Sequence, residues 1–176
     1  MAPILRFIGL LNAAVWLGAM VLFTAILGPA LFSPEVKILV GRSEWLPGAI
    51  AQILVERYML LQQWCAIIAL IHLIFDWLYT GKLFAKSSIF ILLICLGIGL
   101  SGTRLLAPEM KKLHLIKYAP QSAPADRERA NRNFRILHGT SQVTNLLALC
   151  GVLFYYWRLS VGPQAGRSGA AARYRN

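Results

Sequence analysis

Residues Tyr58–Tyr79 read YMLLQQWCAIIALIHLIFDWLY, a run whose only imidazole is His72 and whose only charge is Asp76. A helix needs about 20 mostly apolar residues to cross ~30 Å of hydrocarbon, and a soluble core helix rarely reaches that length. Three further stretches have the same character: Phe7–Phe32, Ser88–Leu106 and Ile136–Trp157. A mean hydropathy of +0.59 agrees, as does a charged fraction of only 14%. The pattern predicts an all-α polytopic membrane protein, a four-transmembrane-helix bundle.

One such bundle, over residues 1–159, fills the length and leaves no room for a second folded unit. The segment 160–176 is rich in Gly, Ala and Arg, has no periodicity, and is expected to be a disordered basic tail. The net charge of +11 comes from basic residues that bracket apolar spans. It therefore points to topology and lipid phosphates, with no nucleic-acid partner expected. The first apolar run exceeds the 7–15 residues of a signal-peptide core, so it is expected to stay as the first span. Cys65, Cys95 and Cys150 all fall inside spans without a CxxC pair, as small packing residues do.

Punctuation divides the chain further. Gly28-Pro29 and Ser33-Pro34 should stop the first helix, and a loop carrying Lys37, Arg42 and Glu44 should lead to a second helix that starts at Pro47. Thr80-Gly81-Lys82 makes a short turn, after which Ser87 or Ser88 is a candidate cap for the third helix. Pro108 should kink that helix. Glu56 and Arg57, Lys111 to Lys117, and Asp126 to Arg129 lie beyond the apolar cores. Helices 2, 3 and 4 are thus expected to project beyond the bilayer on one side. Short basic links on the other side favour cytoplasmic termini in a bacterial inner membrane. Gly9, Ala13 and Gly18, with Gly97, Gly99 and Ser101, would let helix backbones approach closely.

Ionisable groups at membrane depth are costly, so each one needs a partner or a purpose. His138, Ser141, Gln142 and Asn145 fall at i, i+3, i+4 and i+7 on the fourth helix, hence on one face. Gln52, Glu56 and Gln63 share a face of the second. If those faces meet, Glu56, Arg57, Arg104 and His138 form a polar pocket suited to an anionic or metal-linked solute. A buried network that only sets helix register explains the same residues. His72 and Asp76 form a second i, i+4 pair near the other surface, where a structural role is the simpler reading. One haem cannot bridge His72 and His138, because at 1.5 Å per residue their heights differ by ~18 Å. His114 could pair only with His138. No cofactor is expected, and no P-loop, GxSxG or HExxH motif occurs.

Trp16-Leu17-Gly18 followed by Gly28-Pro29-Ala30 and Phe32, Glu56-Arg57-Tyr58, and His138-Gly139-Thr140-Ser141 with Asn145 resemble the transmembrane-protein-205-like family. The resemblance spans about residues 5–158, and the HxxSxxxN pattern is its most specific part. It implies a four-helix fold and a membrane location, with a proposed link to drug or metal-compound export and no established reaction. Three function classes follow. The first is a non-enzymatic accessory or scaffolding subunit that packs against a larger complex or a second copy. The second is small-solute or metal-complex handling within the bundle. The third is a redox subunit that holds haem or quinone.

Overall fold

The computed structural model describes residues 2–41, 43–81 and 86–161. The Arg42 position, the Lys82 side of the hairpin turn and the tail from 162 onward lie outside the described residues. Four helices are long and apolar enough to cross a membrane: Pro3–Leu31, Trp45–Thr80, Lys86–Tyr118 and Pro124–Val161. No strand occurs among the described residues. The four pack as a ring, each against the one before and the one after, with the fourth returning to the first. The last three have 36, 33 and 38 residues, well beyond the ~20 that a bilayer core requires.

Lipid is as apolar as a protein interior, so hydrophobicity does not mark the inward face of these helices. Size and fit mark it instead. Ala13, Ala66, Ala69 and Ala148 are buried, and they leave room for Trp16, Met20, Leu92, Val152 and Tyr155, all fully enclosed. Gly9 and Gly99 make the close approaches. A Cβ on Gly9 would lie 2.5 Å from the His72 ring, and one on Gly99 would lie 2.9 Å from Gln63. Gly18 and Gly97, expected to do the same, point away from the bundle with nothing within 4 Å of a Cβ.

The link after the first span is not a plain loop. Pro34–Leu39 forms a short helix with Ser33 as its N-cap, Val36 N–H donating to the Ser33 hydroxyl at 3.4 Å. Ser followed by Pro reads as a stop, yet Ser at the cap and Pro in the first turn also start a helix. Glu35 sits in that first turn, where the backbone N–H and then the Ser33 hydroxyl hold its carboxyl below the usual range. The second long helix starts at Trp45, before Pro47. It ends where Gly81 adopts φ +65°, a left-handed cap whose N–H donates to the Trp77 carbonyl at 2.8 Å. Ser88 lies buried within the third helix and does not cap it.

Both interior prolines are absorbed without ending their helices. Leu22–Leu27 and Gly102–Leu106 are π-helical, and each ends two residues before a proline, Pro29 and Pro108. Gly28 N–H donates to the Phe23 carbonyl, and Ala107 N–H to the Gly102 carbonyl, each five residues back. A proline offers no N–H to the carbonyl four residues before it, and its ring collides with that carbonyl. Widening one turn to five-residue bonds relieves the collision and lets the helix continue. The first helix thus runs on to Leu31, past the stop expected at Gly28-Pro29.

Candidate functional site

Glu56, Arg57, Arg104 and His138 do not converge. All four are exposed, and among the described residues Glu56, Arg57 and Arg104 make no hydrogen bond or ion pair. The His138 ring stacks on Phe134 of its own helix, with centroids 6.1 Å apart. Gln142 is also exposed, whereas Ser141 and Asn145 are half-buried. His138, Ser141, Gln142 and Asn145 follow one another along one side of the fourth helix, but that side is not centred on the bundle. The fourth helix buries Ala148, Val152, Tyr155 and Leu159, whose mean direction is about 60° away from that of the polar arc at 100° per residue. The rotation brings Ser141 and Asn145 to the bundle and carries His138 and Gln142 outward.

His72 is buried and does not bond Asp76. Its Nε2 meets the Leu5 carbonyl at 2.9 Å, because Gly9, one turn on from Leu5, lets the ring lie on the first helix's backbone. Asp76 stays half-buried beside it on the chain. His114, at the charged ends of the helices, is enclosed by the rings of Trp45, Tyr118 and Phe134. Phe134 thus stands against both His114 and His138. No group of three His, Cys, Asp or Glu residues that could hold a metal occurs among the described residues.

The polar residues that meet are different ones. Asn145 Oδ1 accepts from the Tyr58 hydroxyl and, at 3.2 Å, from Gln62 Nε2. Its Nδ2 donates to Thr24 Oγ1 at 2.9 Å. Phe23 stacks on Tyr58 with ring centroids 4.2 Å apart and planes 5° from parallel. Nearby, Gln63 Nε2 donates to Thr103 Oγ1 at 2.8 Å and to the Gly99 carbonyl at 3.0 Å. Each π-helical segment therefore contains a threonine that receives an amide from a facing helix. Side-chain donors at this depth have no water to bond, so cross-helix acceptors satisfy them.

That symmetry is written in the sequence. Leu17-Gly18, Thr24, Leu27 and Pro29 recur at the same spacing as Leu96-Gly97, Thr103, Leu106 and Pro108. The buried positions recur with them: Gly9, Ala13, Trp16 and Met20 in the first helix match Ser88, Leu92, Cys95 and Gly99 in the third. Helices one and three thus share one spacing of marked and buried positions, and in the ring each lies between the second and the fourth. Asn145 reaches Thr24 as Gln63 reaches Thr103, so the two ties are equivalents. Tyr58, Gln62 and Thr24 were not picked out as site residues from the sequence. The recurring pattern is the signal that would have found Thr24.

A groove of about 340 Å³ lies between the third and fourth helices, floored by the second. Gln62, Ser141 and Asn145 are among its polar lining residues, and Met59, Gly102 and Leu105 among its apolar ones. Gln62 is 1% exposed, and its Oε1 accepts no hydrogen bond. The rim residues Ser101, Leu105 and Thr140 are exposed on the bundle surface. An opening there suits a ligand that arrives through the bilayer.

No curated protein and no solved structure matches the chain. The pattern of a domain of unknown function, DUF4149, matches residues 11–119, more than half the chain, from the first helix to the end of the third. The chain belongs to the family defined by that domain.

Proposed function

We propose that this protein is a non-enzymatic integral membrane subunit that packs through its spans against a partner helix, either in a larger complex or in a second copy. The observation that carries this reading is the outward direction of Gly18 and Gly97. Against lipid a helical glycine gives up stability relative to alanine and gains nothing, whereas against another helix it permits close backbone contact. The two occupy equivalent positions of the recurring pattern. Trp64 adds support, because it is 57% exposed next to Gln63 and so stands far from the interfacial belt where tryptophans usually anchor. Within the DUF4149 family, the Trp16-Leu17-Gly18 and HxxSxxxN patterns support grouping with transmembrane-protein-205-like members. Arg6 and Arg158 at the short-linked end support cytoplasmic termini in an inner membrane.

The test is native-state mass after gentle extraction. The wild-type protein should run as an oligomer or with a co-purifying polypeptide, and Gly18→Leu with Gly97→Leu should dissociate it without loss of insertion. A clean wild-type monomer under every mild condition would sink the proposal. Small-solute handling is a second reading, supported by the groove on the third and fourth helices. The outward positions of Glu56, Arg57, Arg104 and His138 favour that groove over the pocket those four were expected to form.

A further inference from the structure

The first and third helices share their spacing, their π-helical turns and their amide–threonine ties, but they differ in what fills the space beside each tie. At the first helix that space holds the stacked rings of Phe23 and Tyr58, and the Tyr58 hydroxyl donates to Asn145. The recurring pattern puts Gly102 where the first helix has Phe23. Asn145 corresponds to the Gln62-Gln63 pair, which places Thr140 and Ser141 at the height of Tyr58, about one turn earlier. The tie at the third helix therefore lacks both rings. The Met59 side chain takes up the place beside Gly102, where a Cβ would lie 2.7 Å from its sulfur, and the groove lies against Met59 on the Thr140 and Ser141 side. On the facing second helix, next to the tie residue Gln63, Gln62 is enclosed and lines the groove; its Nε2 donates to Asn145, and its buried Oε1 accepts nothing.

We propose that the groove binds a neutral, lipid-soluble phenolic ring that takes the place tyrosine holds beside the other tie, its hydroxyl donating to Gln62 Oε1. This deepens the second reading above, since it names the solute class and the site. Three features narrow the ligand to that chemistry. The stacked pair at the first helix sets the shape as a flat ring seated against the π-helical turn. The free acceptor calls for a hydroxyl donor. The walls carry a single charge, Glu109, which disfavours an anion, and the exposed Leu105 at the rim, 71% accessible, suits an apolar tail that stays in lipid. The volume lies within the range of small-molecule sites, ~300–1,000 Å³.

The probe is tritiated 4-octylphenol, titrated against the full chain in lipid nanodiscs, with protein-free nanodiscs as the partition control. Saturable binding above that control is expected. Octylbenzene, which lacks the hydroxyl, should compete roughly tenfold less well, the worth of one hydrogen bond of ~1.4 kcal/mol. Thr140→Tyr places a ring in the groove from an exposed position and should abolish saturable binding. Ser101→Phe fills the same groove from the third helix and should do likewise. No saturable binding by the wild type, equal competition by octylbenzene, or unchanged binding in both variants would each overturn the proposal. Because the readout is ligand binding, its failure leaves the oligomer test of the packing reading untouched, and a monomeric wild type that binds octylphenol separates the two the other way.

Discussion

Gly9 and Gly18 stand on one helix, in one composition, and only the first is held by its neighbours. A Cβ at Gly9 would meet the His72 ring at 2.5 Å, inside any tolerated contact, while Gly18 has open space. Gly9→Ala should lower thermal stability in detergent by roughly 1–3 kcal/mol, the usual cost of overpacking. Gly18→Ala should leave the isolated bundle unchanged or slightly more stable. Equal effects at the two sites would show that His72 does not rest on the first helix. Asn145 and His138 make a second contrast. Asn145→Leu removes hydrogen bonds to Tyr58, Gln62 and Thr24 and should cost about 1–2 kcal/mol, given ~0.6 kcal/mol for an average interhelical bond. His138→Ala should stay within ~0.5 kcal/mol, as exposed substitutions do. Chemical unfolding of both variants checks the difference. The HxxSxxxN spacing was legible as a face, but a helix wheel gives relative angles only. Which part of that face meets the bundle depends on Ala148, Val152 and Tyr155, and in lipid their apolar character does not distinguish them from outward residues.

At the scale of the helices, the two π-helical turns follow from Pro29 and Pro108, and each turn sets which residues face the neighbour. Met59 packs against Gly102, whose Cβ would lie 2.7 Å from the Met59 sulfur. Met59→Cys with Gly102→Cys should therefore form a disulfide on mild oxidation. Adding Pro108→Ala restores the missing N–H and lets the turn relax to α-helix, which rotates Gly102 by about 100° relative to the segment after it. The cross-linking yield should then fall several-fold; an unchanged yield would mean that the proline does not maintain the turn. The sequence announced both prolines as breaks, and the outcome differed because a π-helical turn accommodates the ring without ending the helix. Ser33-Pro34 misled in a similar way, since the residues that end one helix are also those that begin the next. Helix existence and type were legible throughout because four apolar runs of that length have one solution in a bilayer.

For the whole molecule, the ring of four helices is held by two like amide–threonine ties, Asn145 to Thr24 and Gln63 to Thr103, at matching positions of the first and third helices. This symmetry was present in the sequence as Leu-Gly, Thr, Leu and Pro at one spacing. It is easily overlooked because single residues separated by variable apolar positions form no recognisable block. The most direct test replaces Cys65, Cys95 and Cys150 with alanine and introduces cysteine pairs, one pair at a time, into the protein in native membranes. Thr24→Cys with Asn145→Cys, and Gln63→Cys with Thr103→Cys, should both cross-link rapidly, whereas Glu56→Cys with His138→Cys should not. Rapid cross-linking of the Glu56 and His138 positions, with neither amide–threonine pair forming, would contradict the arrangement.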